Sequence, residues 1–99
     1  MENDTNFPMA NVLLGLEAYF YPKSFKEYEK SFHYLHQSEK ALTQLNIQDE
    51  ILSLHVKGLN SLLNGKFVLA SCIYETILFK NNTDILALKC AQDVYTILG

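Results

Sequence analysis

Apolar residues along this chain recur at steps of three and four, the spacing that lines one face of an α-helix. Met9, Val12, Leu13, Leu16 and Phe20 form the first such stripe and predict a helix over about residues 7–20, stopped by Tyr21-Pro22. Gly15 inside it is about 1 kcal/mol less favourable than Ala, so it predicts a close helix crossing. Ser24 with Glu27 three residues later has the form of a capping box and opens the longest periodic stretch. There Phe25, Tyr28, Phe32, Leu35, Leu42 and Leu45 are expected to face the core, and Lys26, Glu27, Glu29, Lys30, Gln37 and Lys40 to face water. Asn46 is read as the cap of the next helix, with Asp49 and Glu50 in its first turn, Leu52, Val56, Leu59 and Leu63 as its stripe, and Asn64-Gly65 as its end. Phe67, Ala70, Tyr74 and Ile77 continue the spacing to about residue 80, while Val68, Leu69, Cys72 and Phe79 make that segment apolar nearly all round. Such a helix expects neighbours on both sides. Thr83 is read as the last cap, with Asp84 in the first turn and Ile85, Leu88, Ala91, Tyr95 and Leu98 as the stripe. Nothing alternates with the period of two that strands require, so the pattern predicts an all-α chain of about five antiparallel helices.

Superimposed on this is a longer period. Ile51, Leu52, Leu54 and Gly65 recur 34 positions later as Ile85, Leu86, Leu88 and Gly99, and 34 residues is the length of the tetratricopeptide helix-turn-helix repeat. Its signature, W-x2-L-G-x2-Y, then A-x3-F, then P, maps onto Leu54, Lys57, Gly58, Ser61, Ala70, Tyr74 and Asn82. Gly58, Ala70 and Tyr74 keep the small and large positions that let two antiparallel helices approach and fill the gap between them. Shifted one period upstream, Ser24 takes the Gly58 position and His36 the Ala70 position, so the signature is lost. The expected organisation is therefore an N-terminal helical pair in residues 1–46, degenerate as repeat, and in residues 47–99 one tetratricopeptide-like repeat plus the first helix of the next. The whole would be a segment of α-solenoid.

The run Asn82-Thr83-Asp84-Ile85-Leu86-Ala87-Leu88-Lys89, continuing through Asp93, Tyr95, Leu98 and Gly99, resembles a segment of the tetratricopeptide repeat protein 38 family. His55-Val56 and Asn6-Phe7-Pro8-Met9-Ala10 are also similar to segments of that family. The resemblance implies a helical-repeat fold without assigned chemistry. It also implies a chain several times longer, so this one is expected to be a fragment of a larger protein.

Composition narrows the functional classes. Eight Lys and eleven Asp plus Glu give a net charge of −3, and every basic residue is Lys. Without Arg there is no bidentate fork for phosphate or guanine, and the Lys residues do not cluster on one face, so nucleic acid is an unexpected partner. No apolar run approaches the roughly 18 residues of a membrane span. The opening Met1-Glu2-Asn3-Asp4 lacks the basic region of a signal peptide, which makes the cytoplasm the expected location. The glycosylation-like triplets Asn3-Asp4-Thr5 and Asn81-Asn82-Thr83 then have no enzyme to read them.

Residues able to carry chemistry are few. His33 and His36 lie three apart on one helix and would need further ligands from a facing element to hold a metal. Cys72 and Cys90 are expected to be small core residues. His55, Asp84 and Asp93 with Ser61 or Ser71 invite a triad reading, but no nucleophile elbow, glycine-rich anion loop, zinc spacing or cofactor fingerprint accompanies them. No catalytic, metal or cofactor site is expected. First helices of consecutive repeats should adjoin, placing His55, Leu59, Lys89 and Asp93 beside one groove as the candidate partner-binding residues. That face has no Arg and no Asn, unlike a chaperone-carboxylate clamp. The expected function is a non-catalytic scaffold or protein–protein interaction segment, holding a neutral, amphipathic protein or peptide that could be the rest of a longer chain. The last helix, uncovered on one side, is a candidate for self-association. The alternative is a piece of a larger, cofactor-independent enzyme whose active site lies outside this chain.

Overall fold

Each segment with three-four apolar spacing is a helix in the computed structural model, which describes residues 8–46 and 48–99. In chain order they are α1 (Pro8–Phe20), α2 (Phe25–Gln44), α3 (Glu50–Leu63), α4 (Phe67–Lys80) and α5 (Ile85–Leu98). Among the described residues there is no strand, and no helix is long and apolar enough to cross a membrane. Asn3-Asp4-Thr5, Asn6 and Phe7, singled out above, lie outside the described residues.

Three of the helix starts are fixed by side-chain caps. Ser24 Oγ accepts from the Glu27 N–H at 3.1 Å, and the Glu27 carboxylate reaches back one residue further than a capping box requires, to the Lys23 N–H at 3.2 Å. Asp49, and not Asn46, caps α3 by accepting from the Leu52 N–H at 3.1 Å. Asp84, and not Thr83, caps α5 by accepting from the Ala87 N–H at 3.0 Å. In both corrections a carboxylate takes the cap, three residues further on for α3 and one for α5, and brings a full charge to the dipole. Asn46 instead takes φ 51°, the left-handed conformation just past the end of α2. The end of α3 is a Schellman turn: Gly65 has φ 73°, its N–H donates to the Leu62 carbonyl, and the Lys66 N–H donates to the Ser61 carbonyl.

The helices pack as successive hairpins, α1 on α2, α3 on α4 and α4 on α5, with α1 and α2 both resting on α3. The smallest dimension, 20 Å, is that of two helix layers. Between the layers lie Val12, Leu16, Val56, Leu59, Leu62, Tyr74, Ile77 and Val94, all buried. Both internal glycines sit at crossings. A Cβ on Gly15 would meet Leu59 Cδ2 at 2.8 Å, and one on Gly58 would meet the Tyr74 ring at 2.7 Å.

Spacing alone misassigns two faces. In α2 the buried residues are Ser31, Leu35, Ser38 and Ala41, whereas Phe25, Phe32 and Leu45 are 74%, 44% and 54% exposed. Small residues let α2 approach its neighbours, and the serines bury without loss because each hydroxyl donates to a carbonyl one turn back, Tyr28 at 2.6 Å and Leu35 at 2.7 Å. In α5 the buried stripe is Ala87, Cys90, Ala91 and Val94, so Ile85, Leu88, Tyr95 and Leu98 are left outside. Cys72 is likewise exposed, against the expectation of a core thiol, while Cys90 is buried.

The helix boundaries also explain the lost period. α1 and α2 begin 42 residues before α3 and α4, whereas α3 and α5 begin 35 apart. Most of that difference is the length of α2, 20 residues against 14 for α4. A fixed step of 34 therefore cannot align the first hairpin with the second.

Candidate functional site

Where α3, α4 and α5 meet, a small polar cluster interrupts the apolar interior. His55, one turn into α3, is 2% exposed, and its Nε2 donates to Asp84 Oδ2 at 2.8 Å. Asp84 thus does two things with one carboxylate, capping α5 through Oδ1 and holding α3 through Oδ2. Burial pushes its pKa up, but the hydrogen bonds from His55 and from the Ala87 N–H outweigh that and leave it below its ordinary value. His55 Nδ1 has no hydrogen-bond partner among the described residues. The Tyr74 ring stands 6.3 Å from the imidazole, centroid to centroid. Behind it, burial pushes the Cys90 thiol up to about 11 and holds the Tyr74 hydroxyl well above its usual range. A thiol in that state stays protonated at neutral pH and is a poor nucleophile. The cluster's evident work is mechanical, fixing the start of α5 against α3.

The four candidate partner-binding residues separate into two pairs. His55 is committed to Asp84 and lines, with Met9, Asp49, Ile51 and Leu52, a separate depression of about 240 Å³, while Leu59 is fully buried against Gly15 of α1, so neither shares a groove with Lys89 and Asp93. Lys89 and Asp93 remain at the surface of α5, one turn apart, with Lys89 Nζ 3.3 Å from the Asp93 carboxylate. Lys89 Nζ also donates to the Tyr21 hydroxyl at 2.8 Å, across from the end of α1. This contact and the Asp93 carboxylate raise the Lys89 pKa. The same ammonium lies 5.2 Å from the centre of the Tyr21 ring.

Between α1 and α5, below that polar bridge, runs a groove of about 200 Å³. Leu13, Leu16 and Phe20 of α1 face Leu86 and Cys90 of α5, and Glu17, Tyr21, Lys89 and Asp93 form its edge. An apolar floor with a few charged groups at the rim is the usual form of a site that takes an apolar side chain and orients it by polar contacts. The α1 wall was missed from sequence. Tyr21 and Lys89 are 68 positions apart, and no local period connects them.

His33 and His36 are both exposed on α2. Among the described residues, no three His, Cys, Asp or Glu side chains converge as they would around a metal ion. Asp93 pairs with Lys89, and the hydroxyls of Ser61 and Ser71 are spent on the carbonyls of Lys57 and Val68 within their own helices. Comparison of the chain with family models, curated proteins and solved structures gives no match.

Proposed function

We propose that this chain is a segment of a tetratricopeptide-like helical-repeat protein, cytoplasmic and non-catalytic, that binds a protein or peptide segment along the α1–α5 groove. The observation that carries the proposal is the groove itself, with its floor of Leu13, Leu16, Phe20 and Leu86 and its rim of Tyr21, Lys89 and Asp93. Support for the repeat character comes from the stacked hairpins, from Gly58 closing on Tyr74, and from the resemblance of residues 82–99 to the tetratricopeptide repeat protein 38 family. The ligand would be amphipathic and neutral to weakly positive, because the rim carries the Lys89–Asp93 pair and one further carboxylate, Glu17. A volume of about 200 Å³ accommodates one or two aliphatic or aromatic side chains, so affinity would come chiefly from apolar burial.

Selection of displayed peptides on the intact chain tests this. Enriched sequences should share an aliphatic or aromatic anchor, and Leu86→Asp should weaken their binding at least tenfold while Lys26→Ala, on exposed α2, leaves it unchanged. The proposal is overturned if the selected peptides shift amide resonances on α2 and leave Leu13, Leu86 and Lys89 unperturbed.

A further inference from the structure

At the starts of α1, α3 and α5 lies the depression of about 240 Å³ that His55 and Asp84 line with Met9, Asp49, Ile51 and Leu52. It shares no residue with the α1–α5 groove. Met9, Ile51 and Leu52 make part of its wall apolar, while each polar side chain on the rest of the wall is an acceptor. Asp49 spends Oδ1 on the Leu52 N–H and keeps Oδ2 for another donor. The Asp84 carboxyl, its pKa below the ordinary value, is ionised at neutral pH, so the proton in its bond with His55 sits on Nε2. In the neutral ring this leaves a lone pair on Nδ1, the atom without a partner among the described residues.

Charge, spacing and burial together say what fits there. Two carboxylates line the depression and no Lys does; Lys80, at the end of α4, is held instead by Glu50 at 3.4 Å. The occupant is therefore a cation. Asp49, His55 and Asp84 do not converge as they would around a metal ion, so a cation that reaches all three spreads its donors over an organic group. His55 is 2% exposed and the most buried of the lining residues, which makes its ring the floor of the depression. An unpaired acceptor at that depth favours a ligand that brings a donor.

We infer that the depression binds a primary alkylammonium group, its N–H donors shared among Asp49, Asp84 and His55 Nδ1 and its alkyl chain laid along Met9, Ile51 and Leu52. An ammonium has three donors and no acceptor, which matches three acceptors held apart on different parts of the fold. The planar fork of a guanidinium suits the two oxygens of one carboxylate instead. A volume of about 240 Å³ leaves room for the four-carbon stem of a lysine side chain beside the apolar wall. A lysine of a protein partner and a free polyamine both carry this group.

Titration of the intact chain at neutral pH with butylamine, spermidine and a blocked lysine peptide, read by the ring-nitrogen resonances of His55, tests the inference. Each amine should shift Nδ1 in a saturable way, while butanol, which has the same chain without the charge, should leave it in place. Asp49→Asn retains an oxygen to cap α3 and removes the charge, so it should weaken amine binding at least tenfold with an unchanged circular dichroism spectrum. Glu29→Gln, on the exposed face of α2, should leave binding as it is. A stronger response to the lysine peptide than to spermidine supports the site and assigns it to a protein ligand, and the reverse order supports it and assigns a free polyamine. No shift with any amine, an equal shift with butanol, or a response that Asp49→Asn does not weaken overturns the inference.

Discussion

Replacing Asp84 by Ala removes two interactions from one position, and their separate sizes follow from the geometry. The first is the cap: Oδ1 accepts from the Ala87 N–H at 3.0 Å, and loss of an Asp N-cap costs about 1 kcal/mol. The second is the bond to His55. That imidazole is 2% exposed with Nδ1 already unpartnered, so removing the acceptor from Nε2 strands a buried polar group, which costs about 1–3 kcal/mol. Together the loss is about 2–4 kcal/mol, and at about 4–8 °C per kcal/mol for a domain of this size Tm should fall by roughly 8–32 °C. Asp84→Ser separates the two, since serine can cap but is too short to reach His55. Asp84→Asn keeps one acceptor oxygen, enough to cap Ala87, but sets an amide N–H against the His55 Nε2–H, so it loses the charge and the His55 bond as now formed, about 1–3 kcal/mol. Acid titration gives an independent sign. The folded carboxyl has its pKa below the ordinary 3.8, so the unfolded chain takes up the proton first. Its contribution is complete above that ordinary value and is lost as pH falls through the lower folded one, so wild type should lose its advantage over Asp84→Asn only below about pH 4. Urea unfolding of the four proteins, with a double-mutant cycle against His55→Ala, measures these terms. Equal destabilisation by Asp84→Ala and Asp84→Ser, with no coupling to His55, would refute the account of the cluster as a latch between α3 and α5.

Gly58→Leu should destabilise by about 1–3 kcal/mol, because a Cβ there meets the fully buried Tyr74 ring at 2.7 Å, whereas exposed Lys57→Leu should change stability by under about 0.5 kcal/mol; equal thermal shifts would contradict the register of α3 on α4. In the native chain one thiol, Cys72, should react with a maleimide or Ellman's reagent near neutral pH, and Cys90, buried and pushed up to about 11, should react only on unfolding; two equally fast thiols would place Cys90 wrongly.

Helix count and order are legible in this sequence because every helix carries at least four apolar residues at three-four spacing and four turn-like joints separate them. The faces were less legible. In α2 periodicity favours Phe25 and Phe32 over Ser31 and Ser38, since a hydrophobicity pattern cannot register a hydroxyl that satisfies itself on its own helix. In α5 two stripes compete, Ile85, Leu88, Tyr95 and the smaller Ala87, Cys90, Ala91, Val94, and close packing on α4 selects the smaller one. Caps were misplaced by one to three residues because Asn46, Asp49, Thr83 and Asp84 all qualify by type, and only the chain path decides which side chain reaches the N–H groups.

The candidate groove shows how position within a repeat and burial come apart. His55 and Lys89 are equivalent at a spacing of 34, as are Leu59 and Asp93, yet the α3 pair is buried and the α5 pair is at the surface. α1 makes the difference. Its Gly15 lets Leu59 close against the backbone at the level of α3, while at the level of α5 the contact opens into the groove and touches again only through Tyr21 and Lys89. The residue types follow that geometry: where a neighbouring helix covers the position the sequence has Leu59, and where it does not the sequence has Asp93. Expecting all four at one ligand surface treated repeat equivalence as environmental equivalence. Polarity at the equivalent positions was the available signal, and it places the opening of the groove on the α5 side, where Leu86 and Cys90 remain apolar beneath a charged rim.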